Sequence, residues 1–187
     1  MPTTSTDIAN RAIQMMGDNQ PPVTGVAPNF DSSTAGIALS KLYAPCVRTV
    51  ARQFEWDFGR KTGALTLTGN TPILFTYEYN YPTNAVQVWQ IRSPTVDAYN
   101  PVPENFIVAN NVVSGSTVRV IQTNVANAQA IYDSNPPESA WDDLFAEAVV
   151  RLLASELAIA LGGKPDTSQV LLQSGAAFEA IGEQRSN

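Results

Sequence analysis

The apolar positions change period twice along the chain. From about Asp7 to Met16, Ile8, Ala12, Ile13 and Met16 recur at the spacing of one helical face. Ser5 or Thr6 is suited to cap the start, and Gly17 to end the helix in a left-handed conformation. Residues 18–29 carry Pro21, Pro22, Gly25 and Pro28, which predict a loop. A longer helix is expected from Asp31, Ser32 or Ser33, with Ile37, Ala38, Leu42, Cys46, Val50 and Phe54 as its apolar stripe. Pro45 lies well inside it and lacks a backbone donor, which predicts a kink near Lys41–Leu42 or two abutting helices. Trp56 and Phe58 follow at period two.

From Ala64 to Tyr132 the pattern alternates. Leu65 and Leu67, then Phe75, Tyr77, Tyr79 and Tyr81, then Val86, Val88 and Ile91 read as half-buried strands. Residues 106–121 contain two turn signals, Asn110-Asn111 and Gly115-Ser116, both suited to positive φ in tight hairpins. Residues 94–103 predict a loop. Helix returns after Pro136-Pro137, with Ser139 and Asp142 resembling a capping box and Trp141, Leu144, Phe145, Ala148 and Leu152 on one face. Gly162-Gly163 ends it, and Pro165-Asp166 opens a last helix carrying Val170, Leu171, Ala177, Phe178 and Ile181. The order predicts an α+β fold: a helical bundle formed by N- and C-terminal helix pairs (residues 1–61 and 138–187), with an inserted small antiparallel β region over 62–137.

Composition narrows the function. Leu, Ile, Val and Phe make up about a quarter of the 187 residues, enough for a packed core. Charged residues are only 15%, and the net charge is −6. An acidic chain is poorly suited to coat DNA. With no His, neither a histidine-based catalytic triad nor a His-ligated metal site can form, and a single cysteine, Cys46, excludes an internal disulfide. Cys46 lies on the apolar stripe and reads as a small buried hydrophobe. The balance leans away from an enzyme, and no cofactor is expected. No segment approaches the roughly 20 apolar residues of a membrane span, and the first residues have no signal-peptide pattern.

Three further groupings invite chemistry. Gly162-Gly163-Lys164 fails as a phosphate loop because Ala158 and Pro165 stand where Gly and Ser or Thr are required. Asp142-Asp143, with Glu138 and Glu147, suits a helix N-terminus better than a cation, since consecutive side chains diverge. Arg48, Arg52, Arg60 and Lys61 are the only basic cluster, and Tyr77, Tyr79 and Tyr81 align on one strand face. The basic cluster reads as a solvated helix face or as a partner for the acidic C-terminal helices, within or between chains, and the tyrosine face as packing or a contact with another protein.

Several stretches resemble the head–tail adaptor (connector) proteins of tailed bacteriophages, the tail tubular protein A group in particular. Residues 9–17 are similar to the family's opening helix. Tyr43, Arg48, Val50 and the run Trp56-Asp57-Phe58-Gly59, followed by Arg60 and Lys61, are similar to its long helix and Trp-x-Phe-Ala ending, with Gly59 in place of Ala. Tyr77 to Pro82 is similar to its aromatic strand. The resemblance implies a virion protein assembled in the bacterial host cytoplasm. It would form a ring of copies beneath the portal protein, contact the next tail component, and let DNA through its lumen without specific binding. The ring typically holds about twelve copies. Candidate interface residues are Arg48, Arg52, Arg60, Lys61, Tyr77, Tyr79, Tyr81, Glu179, Gln184 and Arg185. The alternative is a monomeric ligand-binding β module using the Tyr77, Tyr79 and Tyr81 face.

Overall fold

The structure is a computed structural model, and it describes residues 4–17, 21–94 and 104–162. The chain divides into two compact units, Met1–Phe58 with Pro136–Asn187, and Gly59–Asn135.

In the first unit, α1 (Ser5–Met15) begins at Thr4, one residue before the expected cap. Thr4 and Asp7 form a reciprocal capping box, and this holds the Asp7 carboxyl below its ordinary pKa. The predicted loop contains a short hairpin, β1 (Gly25–Val26) with β2 (Asn29–Phe30). Asp31 fastens it to the next helix: its carboxylate accepts from the Ser33 hydroxyl and from the backbone of Thr24 and Ser33, and its pKa falls to about 2. Ser33 then caps α2 (Thr34–Gln53), accepting from the Gly36 N–H at 3.0 Å. The chain runs through Pro45 as one helix, not two. Pro45 and Lys41 are both exposed, so the carbonyl left without a donor is open to water. The last described helix, α3 (Asp143–Ala160), is capped by Asp142, and Ser139 lies in a preceding 3-10 turn instead of forming a capping box. Along α3, Phe145, Val149, Leu153 and Leu157 are buried, and the helix packs on both α1 and α2. Trp56, Phe58 and Trp141 pack their rings around Phe145 at centroid distances of 4.7–5.1 Å. The predicted last helix, from Pro165, lies outside the described residues.

The second unit is all β. Strands β3 (Arg60–Ala64), β8 (Gln129–Ser134) and β5 (Ala85–Arg92) form one antiparallel sheet in the order β3-β8-β5. Strands β4 (Tyr77–Asn80), β7 (Ser116–Thr123) and β6 (Phe106–Val113) form another, in the order β4-β7-β6. A bridge from Leu67 to Tyr79 continues this second sheet past β4. Tyr79 and Ile121 from one sheet and Val88, Ile91 and Ala130 from the other bury a shared core. The β6–β7 hairpin turns at Ser114-Gly115, one residue before the expected Gly115-Ser116; φ there is +51° and +81°, as a two-residue turn with both residues left-handed requires, and Ser116 already belongs to β7. The second expected turn, Asn110-Asn111, does not form, and β6 runs straight through it.

The expected helical bundle with a small β insertion is therefore corrected. Among the described residues there are eight strands in three antiparallel sheets against three α-helices. Strand extends into segments assigned to the bundle: residues 25–30 form a hairpin, and Arg60 and Lys61 open β3. The physical reason is pairing, since a short polar segment becomes a strand when a partner in register satisfies its backbone groups.

Candidate functional site

The four basic residues belong to two different units. Arg48 and Arg52 sit one turn apart on the exposed side of α2, where with Pro45 and Thr49 they line an open hollow of about 370 Å³. The Arg48 Nε donates to the Ala44 carbonyl at 3.3 Å, which holds the guanidinium along the helix. Arg60 and Lys61 belong to the other unit, as exposed residues of β3 paired with Asp133 and Tyr132. Sequence proximity joined four cations that the fold divides between two units.

The three tyrosines share a strand face, but that face is turned into the core. Tyr79 is 1% exposed, and its hydroxyl donates to the Val125 carbonyl at 2.8 Å and accepts from the Ala128 N–H. Tyr77 and Tyr81 are half-buried against the same core, and the Arg119 guanidinium lies 4.0 Å over the Tyr81 ring. The rings therefore form no open platform, and Tyr79 is corrected from surface candidate to core residue. Glu179, Gln184 and Arg185 lie outside the described residues.

The most concentrated polar grouping is one that sequence reasoning missed. Glu78, between two core-facing tyrosines on β4, points to the opposite side of its sheet and is fully buried. Four neutral side chains donate to its carboxylate: Thr68 Oγ1 at 2.9 Å, Asn70 Nδ2 at 3.0 Å, and Asn111 Nδ2 and Gln122 Nε2 at 2.8 Å each. Burial pushes its pKa up, but the four hydrogen bonds outweigh that and hold it below the ordinary glutamate value. Strand alternation places Glu78 on the face opposite Tyr77 and Tyr79, but its cross-strand partner Gln122 is set by β4–β7 register, which alternation does not reveal. Its oxygens are already engaged by donors, so the cluster has the character of a fastener. Asn70 also donates to the Val112 carbonyl at 3.1 Å, tying the loop after Thr68 to β6. At the loop's other end, Thr76 donates from its N–H and hydroxyl to the Asn124 side chain.

The loop so pinned exposes Ile73 completely and Leu74 by 79%. Ten large aliphatic side chains are exposed among the described residues, and seven of them lie in this loop, at Leu67 or on the β6–β7 hairpin. No charged residue occurs between Lys61 and Glu78, or between Glu104 and Arg119.

Reactive groups elsewhere are muted. Cys46 is buried, and burial with the nearby Glu156 carboxylate pushes its thiol up to about 12. Burial and the Glu138 carboxylate, to which it donates at 3.1 Å, push the Tyr43 hydroxyl above its ordinary range. Among the described residues no three carboxylate or thiol groups are placed to hold a metal ion, and no helix is long and apolar enough to cross a membrane. Comparison with protein-family models and with curated proteins finds no match to this chain.

Proposed function

We propose that this chain is a structural subunit of a tailed-phage head–tail adaptor, which joins the portal to the tail and extends the DNA channel through a ring of copies. The observation that carries the reading is where apolar surface is left in water. Among the described residues, seven of ten exposed large aliphatics gather in two charge-free segments of one unit, and a concentration of this kind marks a docking surface. The residues behind the resemblance support it in a second way, because they serve as scaffold. Tyr43, Trp56 and Tyr79 are buried, and Phe58 packs on Phe145. A subunit whose role is assembly needs a rigid frame and a sticky surface more than an open cleft.

The test is to mix the chain with the portal ring from its own genome and weigh the product by native mass spectrometry. A portal complex carrying a ring of about twelve copies is the expected result. No association at any mixing ratio overturns the reading.

A further inference from the structure

Two segments dominate the exposed apolar surface, and the fold ties them together. Asn70 fastens the loop that carries Ile73 and Leu74 to Val112 of β6. Beside it, β6 is an open sheet edge among the described residues. Val113 and Ser116 flank the two-residue turn and form its hydrogen-bonded pair, so alternation turns the main-chain groups of Val112, Asn110 and Val108 outward. At Val112 those groups are already engaged: the carbonyl accepts from Asn70, and the N–H donates to the Asn111 side chain at 2.8 Å. At Val108 and Asn110 the edge stays open among the described residues. It lacks the usual protections, since β6 contains no lysine, proline or charge and pairs with β7 without a bulge.

We infer that this rim, made of the β6 edge with Val108, Val112 and Val118 and of the Ile73-Leu74 loop, is the surface on which a second copy of this chain docks. The inference deepens the assembly reading above and rests on its claim that the chain works as a multimer. Charge selects the occupant. Two copies each carrying −6 repel one another, and contact costs least where neither brings a charge. The longest exposed stretches meeting that condition are these two. A second copy also brings strand edges of its own, with which the open backbone of β6 can pair. A lipid surface is the less favoured occupant, because neither segment carries the Lys or Arg that normally accompanies interfacial insertion. The loop is held at Asn70 and at Thr76 before any contact, so docking does not have to order it.

The test is sedimentation equilibrium of the full chain over a concentration series reaching hundreds of micromolar. It compares the wild type with Ile73→Asp/Leu74→Asp, with Val108→Lys, and with Ile37→Asp as an exposed aliphatic on α2 in the other unit. Circular dichroism checks that each variant is folded. The wild type is expected to rise above 20.1 kDa with concentration, as a dimer or a longer series. Both rim variants should weaken association at least tenfold, and Ile37→Asp should leave it unchanged. In hydrogen exchange, the Val108 and Asn110 amides should gain protection on association. Three results overturn the inference: a monomer at every concentration, association indifferent to the rim variants, or equal loss in Ile37→Asp. Co-sedimentation of the wild type with phosphatidylcholine vesicles, lost in the loop variant, would assign the tip to lipid and also overturn it. The portal experiment stays separate: a chain that is monomeric alone yet loads onto the portal sinks this inference and keeps the adaptor reading.

Discussion

Glu78 shows how much one side chain can organise. A buried carboxylate without a counter-cation is normally costly, and here four neutral donors from three segments compensate it. Glu78→Gln turns one acceptor oxygen into an amide that faces those donors, so a loss of about 1–3 kcal/mol is expected in urea unfolding. The pH dependence has a definite sign. The folded pKa lies below the ordinary value of 4.5, so this contribution is fully present above about that pH and is lost as pH falls through the folded value. The acid limb of the wild-type stability profile should therefore be steeper than that of Glu78→Gln, and parallel limbs would refute the account. Tyr81 makes the opposite case. Its hydroxyl is buried and finds no hydrogen-bond partner among the described residues. Tyr81→Phe removes that unpaired group while keeping the ring under Arg119, and is expected to be neutral or to stabilise by about 1 kcal/mol. A clear fall in the melting temperature would show that the hydroxyl has a partner in solution.

At the scale of elements, apolar period identified type well and boundaries less well. The first helix and the start of the second were legible because Ile8, Ala12 and Ile13, and then Ser33, act within a few residues of themselves. The Asn110-Asn111 turn was misjudged for a reason that lies in tertiary structure. Asn111 is held in β6 by donating to Glu78, which is 33 residues away in the chain. Only Ser114-Gly115 takes the left-handed backbone a tight hairpin needs. A Cβ added at Gly115 meets nothing within 4 Å, so Gly115→Ala tests backbone conformation alone. A cost of about 1 kcal/mol is expected from thermal unfolding. A loss several times larger would mean that the turn makes contacts beyond its own backbone. The hairpin β1–β2 was missed because two residues per strand leave no period to read.

At the scale of the whole molecule, the charge pattern makes a prediction of its own. If copies of a −6 chain meet through an uncharged rim, salt screens their repulsion without breaking any ion pair in the contact. Self-association should strengthen on going from about 0.05 to about 0.5 M NaCl, whereas a contact built on Arg48, Arg52, Arg60 and Lys61 would weaken; sedimentation at the two salts separates them. The candidate site was legible only in part. The exposed position of Arg48 and Arg52 follows from their place off the apolar stripe of α2, but their assignment to a different unit from Arg60 and Lys61 does not. The burial of Tyr79 follows the alternation of a half-buried strand, whereas the full exposure of Ile73 inverts what hydropathy suggests. The sequence by itself determined the three described helices, most of the strand segments and the exclusion of histidine chemistry, because these depend on residue types and short-range period. Tertiary structure alone decided which strands pair, which side of β4 faces the core, how Glu78 is satisfied and which apolar side chains stay in water. Each of those depends on partners brought together from distant parts of the chain, and no local pattern encodes them.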